Sequence, residues 1–213
     1  MGNSVQELLS IGTDSLSSAK PNLHPLADRF PESVLSPLSD LLTCTNGFYA
    51  FESSLHVLCC EEGSSDPLEL LNWNNRCTWI SDFEGAADGY IFFAEDAFGY
   101  PFGVNERGVF TFDPETAEST FLAATLQDWA NVILQRYEEL TGFPAAHDWQ
   151  AINGPLEHGR RLLPIDPIIA GGTFEPKNLK AVSTLEAIRF RANFYKQTRD
   201  LPDGASFTWK IVD

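Results

Sequence analysis

The residues best placed for chemistry are a carboxylate pair. Glu95-Asp96 follows Phe92-Phe93 at the end of an apolar run, where two acids could share a proton or hold a divalent cation. Neighbours along a strand point to opposite faces, so an acidic dipeptide ahead of Gly99 reads first as turn chemistry. His147-Asp148 could in principle supply half of a hydrolytic triad. No Gly-x-Ser-x-Gly elbow accompanies it, and Ser53-Ser54 and Ser64-Ser65 have no nucleophile context. Cys59 and Cys60 lie close to His56, but apolar flanks raise a thiol pKa and leave it unreactive. Trp73 and Trp79, with Asn72, Asn74 and Asn75, could stack a sugar; core packing beside a capped turn is the preferred reading. There is no Walker loop, Gly-x-Gly-x-x-Gly, HExxH or EF-hand, and Gly171-Gly172 reads as a turn. A metal-dependent hydrolase built on Glu95, Asp96 and His147 is a third-ranked reading that needs the three to converge. No catalytic residue, metal ligand or cofactor is assigned.

Charge says more than motifs. The 213 residues carry 14 Lys and Arg against 30 Asp and Glu, a net −16. Residues 1–158 hold 5 basic and 24 acidic side chains, a net −19; residues 159–213 hold 9 and 6, a net +3. Direct binding to nucleic acid or to anionic membrane needs clustered Lys and Arg, so both are excluded as partners. What remains is solubility or complementarity to a basic protein. The acidic loops Glu61-Glu62 and Asp82-Glu84-Asp88 are the candidate partner-binding residues. The basic C-terminal segment is expected to fold against the acidic body as a partial charge offset.

With 43% hydrophobic and 12% aromatic residues, the chain has the composition of an ordinary globular protein. No run approaches the length of a membrane span, and MGNSVQELLSIG lacks the basic and apolar regions of a secretory signal. The four cysteines, Cys44, Cys59, Cys60 and Cys77, form no CxxC and read as reduced thiols of a cytoplasmic protein.

The elements that must position these groups follow from periodicity and punctuation. Helices are predicted from Val5 to Leu16 and from Pro31, with a Val34, Leu35, Leu38, Leu41, Leu42 stripe ended by Asn46-Gly47 as C-cap. Strands are predicted over 48–51 and 54–60, and Asp66-Pro67 is predicted to start a short helix through Trp73. Strands at 90–94, 101–105, 109–112 and 119–123 follow, with Asp113-Pro114-Glu115-Thr116 as a type I turn. Thr125 and Asp128 cap a helix striped by Leu126, Trp129, Ala130, Ile133, Leu134, Tyr137 and Leu140. The Pro- and Gly-bearing stretch 144–172 is predicted irregular. Ser183 and Glu186 box a last helix, and Pro202-Asp203-Gly204 turns into a strand carrying Phe207, Trp209 and Ile211. This order is not strict βα alternation. It predicts an α+β fold: a central, mostly antiparallel meander flanked by helices, with a C-terminal α/β extension.

The segments Phe92-Phe93-Ala94-Glu95-Asp96-Ala97-Phe98-Gly99, Phe110-Thr111-Phe112-Asp113-Pro114-Glu115-Thr116 and Leu126-Gln127-Asp128-Trp129-Ala130 occur in that order. With Thr45-Asn46-Gly47-Phe48-Tyr49-Ala50-Phe51-Glu52 ahead of them, the chain resembles the SUKH superfamily over residues 30–140. This group comprises fungal cell-wall-synthesis regulators and bacterial toxin-immunity proteins. The stretch from Arg160 to Gly204 resembles an extension of longer bacterial members. The resemblance implies a SUKH-like domain over 1–142, with 143–213 packed on it as an extension. It also implies a protein-binding function without catalytic residues, in which Asn46, Gly47, Asp96, Gly99 and Asp113-Pro114 are structural. The expected function is that of a cytoplasmic immunity protein neutralising a cognate basic toxin, with a nuclease as the candidate class. The alternative is a housekeeping regulatory or scaffold protein of the same fold. The sequence leaves the oligomeric state open.

Overall fold

A computed structural model describes residues 2–202. Two helices, α1 (Asn3–Ser10) and α2 (Glu32–Cys44), precede the strands β1 (Phe48–Ala50) and β2 (Leu55–Val57). A single helical turn, α3 (Leu70–Trp73), and a 3-10 turn at Ile80–Phe83 lead into β3 (Ile91–Asp96), β4 (Pro101–Asn105), β5 (Gly108–Asp113) and β6 (Glu118–Ala123). Next come α4 (Leu126–Leu140), α5 (Phe143–Asn153), β7 (Arg160–Pro164), β8 (Leu179–Ser183) and α6 (Thr184–Thr198). The fold is α+β: β1 to β6 form an antiparallel meander in chain order, and β7 and β8 form a separate antiparallel pair.

Aromatic packing fixes both faces of the six-stranded sheet. On one face Trp129 of α4 meets Phe93 and Phe102 edge-on, at 5.0 and 5.9 Å between centroids. On the other, Trp79 and Phe83 pack on Phe92 and Phe112, and Tyr195 of α6 closes on Phe83. Trp73 and Trp79 are buried 5.3 Å apart, so they are core and not a sugar platform. Ile188 and Ala192 of α6 join this same core. A second, smaller core gathers Ala97, Phe98, Ala146, Leu156, Leu162 and Leu179 under the β7–β8 pair.

Two buried asparagines act as detached peptide groups. Asn46 accepts the Cys60 N–H at 2.7 Å and donates to the Cys60 carbonyl at 2.8 Å; Asn74 does the same with Phe92, at 2.8 Å each. Each side-chain amide thus satisfies backbone groups that the meander leaves unpaired. The sequence reading of Asn46 as a helix cap is corrected here. The cap of α2 is Thr45, in extended conformation, and Gly47 carries the positive φ of +76°. A Cβ on Gly47 would lie 2.6 Å from Cys59 Cβ, so both sterics and φ demand glycine. Asn46→Ala strands the Cys60 N–H and two carbonyls, for an expected loss of roughly 2–4 kcal/mol. Urea unfolding checks this through the midpoint at constant slope; a loss under about 1 kcal/mol contradicts it.

Several boundaries differ from expectation. α1 stops at Ser10, before Gly12, where a Cβ would meet the Phe48 ring at 2.8 Å. Glu69, not Asp66, caps α3, accepting the Asn72 N–H at 2.9 Å. The stretch expected to be irregular contains α5 and β7. Asp203, Gly204 and the strand expected over Phe207, Trp209 and Ile211 lie outside the described residues.

Candidate functional site

The five acidic residues singled out by sequence fall into two groups that differ in what they face. Asp82 lies 3.3 Å from Lys196 Nζ, Glu84 pairs with Arg199, and Asp88 lies 2.9 Å from Arg76. Their charge is largely offset, two of them by the last turn of α6. Glu61 and Glu62 instead meet neutral donors: the Ser17 hydroxyl at 2.8 Å and the Asn22 amide at 2.9 Å. The loop bearing them is ordered by the buried Glu69, whose carboxylate also accepts the Glu61 N–H at 3.1 Å. Asp66 follows, accepting the Leu68 N–H at 2.9 Å. Residues 61–69 thus present three carboxylates, Glu61, Glu62 and Asp66, above the buried Glu69; among the described residues no Lys or Arg lies within ion-pair distance of them, and the His158 ring is 3.9 Å from Asp66. This loop is the uncompensated acidic surface that sequence pointed to; 82–88 is not.

The basic C-terminal segment does lie on the acidic body. Arg189 donates from Nε and Nη2 to the Thr78 carbonyl at 2.9 and 2.6 Å, and Lys196 and Arg199 make the pairs above. Arg191, 1% exposed, sits 4.9 Å from the Tyr100 ring centroid, with Nε 3.8 Å from Glu115 Oε1. Arg160 turns to Glu157 within its own segment, at 4.0 Å.

Glu95 is where sequence reasoning and structure part. It is 1% exposed and no turn residue. Its Oε1 accepts from His56 Nδ1 at 3.0 Å and from Arg161 Nε at 2.9 Å; the Thr184 hydroxyl approaches at 3.4 Å. His56 stacks on Tyr49 at 4.3 Å, and the Tyr49 hydroxyl meets His158 Nδ1 at 2.9 Å and accepts the Gly159 N–H at 3.2 Å. The cluster therefore ties β1, β2 and β3 to β7 through the buried groups of Tyr49, His56, Glu95 and Arg161. Gly99 lies against the Arg161 side chain with a φ of +77°, a conformation that favours glycine. Beside it, Phe51, Glu52 and Ser53 are all left-handed, with φ of 52°, 52° and 66°. L-residues resist that conformation by roughly 1–2 kcal/mol each. Arg161 Nη1 donating to the Ser53 carbonyl, Gln150 donating to the Glu52 carbonyl and Tyr137 stacked on Phe51 hold the turn in place.

The electrostatics of this cluster do not suit acid–base catalysis near neutrality. Burial pushes the His56 pKa down to about 4, and the Arg161 guanidinium adds to that against the Glu95 hydrogen bond. Burial opposes ionisation of Glu95, but Arg161 and the His56 bond outweigh it and hold the carboxyl below its usual range. The pair at neutral pH is carboxylate with guanidinium, and His56 is a neutral donor. Burial raises both Cys59 and Cys60 to about 11, so neither supplies a thiolate. Nor do the hydrolase residues converge. His147 Nδ1 lies 2.8 Å from Glu52, half-exposed, while Glu95 faces His56 and Arg161. Among the described residues no group of three or more His, Cys, Asp or Glu could hold a metal ion.

No family model matches this chain, and no curated protein does. Among solved structures it is similar to the crystal structure of Atu4351 from Agrobacterium tumefaciens, with a TM-score of 0.56 and 14% identity over 86% of each chain. The likeness is one of fold alone. No helix among the described residues is long and apolar enough to cross a membrane.

Asp96 is the turn residue that sequence expected. Its Oδ1 accepts the Phe98 and Tyr100 N–H groups at 2.8 Å each, closing the β3–β4 connection. Burial nevertheless raises its pKa to about 7 against those bonds and the nearby Arg191 and Arg161. A carboxyl whose folded pKa exceeds its unfolded value binds more protons when folded, so its contribution weakens as pH rises from about 4 to about 7. Asp96→Asn keeps an oxygen acceptor and removes the titration. The stability difference, variant minus wild type, is expected to grow in the variant's favour over that interval in urea melts. A difference independent of pH contradicts this.

Proposed function

We propose that this chain is a protein-binding module of the SUKH type that captures a basic protein, and that it serves as an immunity protein against a toxin. The observation that carries the reading is the 61–69 loop. Its carboxylates are fixed by hydroxyl, amide and backbone donors, so their charge is positioned without being neutralised. A nuclease must be positively charged around its substrate groove, and such a loop mimics spaced phosphates towards it. The ordered SUKH-like segments between residues 30 and 140 support the same reading, because immunity proteins are frequent in that group. The four cysteines are free, which suits action in the cytoplasm.

Co-purification from the native cell at low salt tests the proposal. One tightly held basic partner, encoded beside this gene, is the expected result. Several weak partners and a stand-alone gene would instead assign the housekeeping scaffold role, and a lone protein with no partner would overturn both.

A further inference from the structure

We propose that the edge strand β6 pairs with β6 of a second copy of this chain, across a two-fold axis at Thr120. The six-stranded sheet has two edges, β1 and β6. The chain itself covers the first: the Thr13 N–H donates to the Tyr49 carbonyl at 2.8 Å, the Tyr49 N–H to the Thr13 hydroxyl at 3.0 Å and the Leu16 N–H to the Gly47 carbonyl at 2.9 Å. Among the described residues no segment covers β6 in this way. Glu118, Thr120 and Phe121 are exposed, Phe121 by 56%. An edge strand turns a row of unpaired N–H and C=O groups outward, a template for a further strand, and β6 has neither the Lys nor the Pro that commonly guards such an edge.

The occupant follows from the rows of side chains that end at this edge. On one face the rings of Phe92, Tyr90, Phe110 and Phe121 follow one another at 5.7, 5.4 and 5.5 Å between centroids, and the row stops with Phe121 open. On the other face Thr111 and Thr120 are cross-strand partners. Ser119 shares the face of Phe121. A two-fold axis at Thr120 sets that residue against itself and continues the threonine row. It also sets each Phe121 over the small Ser119 of the second copy, with the two Phe121 rings diagonal and within reach of each other. Glu118, the one charged residue of β6, falls opposite Leu122 of the second copy, so no like charges face. The strand is thus complementary to itself, whereas a basic strand would meet a single carboxylate there. The bulge that leaves Leu122 without a partner on β5 confines regular pairing to a few residues around the axis, so the dimer is weak and concentration-dependent.

Sedimentation equilibrium of the full chain at concentrations up to about 1 mM tests the assignment, since interfaces under roughly 1,200 Å² associate weakly. Expected is a mass that rises from 23.6 kDa towards twice that value, and rises further with added salt, because each copy carries −16. Capture of a basic partner has the opposite salt dependence, so the two readings fail separately. Thr120→Lys and Thr120→Glu, at an exposed position, should each leave a monomer by setting like charges against each other across the axis. An equimolar mixture of the two should recover the dimer. A wild type that stays at 23.6 kDa at the highest concentration, a dimer that survives both substitutions, or a mixture that stays monomeric overturns the proposal.

Discussion

Glu95→Ala is expected to lower the unfolding free energy by about 3–5 kcal/mol, because it leaves a buried guanidinium without its counter-charge. Arg161 is 0% exposed, and Glu95 is its one carboxylate within ion-pair distance among the described residues. Small domains hold only about 5–15 kcal/mol in all, so the variant should sit near the edge of folding. Replacing both partners, as Glu95→Leu with Arg161→Leu, should cost clearly less than the two single changes added, since no orphaned charge then remains. The pH profile supplies a second signature. His56 has a folded pKa of about 4 against 6.5 unfolded, so the unfolded chain takes up more protons in between and stability falls as pH drops through that window. Glu95, lowered on folding, contributes stability that is present above the unfolded carboxyl pKa and lost as pH falls through the folded one. Asp96 acts with the opposite sign over the same interval, so the His56 contribution is read in the Asp96→Asn background, where urea unfolding between pH 7 and pH 4 should show stability falling as pH drops. A Glu95→Ala loss under about 1 kcal/mol would mean that the cluster does not clasp the C-terminal segment.

Glu61→Lys with Glu62→Lys should slow association with the basic partner by on the order of 10-fold or more at low salt, since steering charges act chiefly on the on-rate. Both side chains are exposed and bonded to neutral donors, so the unfolding free energy should move by no more than about 0.5 kcal/mol. Asp82→Lys with Glu84→Lys is the matched control. It makes the same change of charge, but at carboxylates already facing Lys196 and Arg199, half-exposed pairs worth about 0–1 kcal/mol. Its effect on association should be markedly smaller. Equal slowing by both double variants would show that net charge alone, and not the 61–69 loop, directs capture.

The meander and its two main helices are legible because local signals and tertiary packing agree there. Thr125 accepts the Asp128 N–H, Ser183 accepts the Glu186 N–H, and Gly108 closes the β4–β5 turn, as spacing alone predicts. Helix α5 is not legible. Of its residues only Ala146 is buried, so FPAAHDWQAIN has no apolar stripe. Tertiary bonds hold it, from Trp149 to the Leu179 carbonyl and from Gln150 to the Glu52 carbonyl. Strand β7 hides behind Pro164 and pairs with β8 across a long loop. The charge cluster is unreadable for a related reason. Glu95 meets Arg161 66 positions away, and Asp82 meets Lys196 114 away, so nothing local marks which acids are neutralised. Composition shows an acidic body and a basic tail; only the fold decides that the tail covers Asp82 and Glu84 and spares Glu61 and Glu62.

The central claim is best tested by the association rate of this chain with the protein encoded beside it, measured across ionic strength. A rate that falls steeply as salt rises from low to physiological levels, and flattens in the Glu61→Lys, Glu62→Lys variant, is the result expected of capture by that loop. A salt-independent rate, or no complex even at low salt, would contradict it.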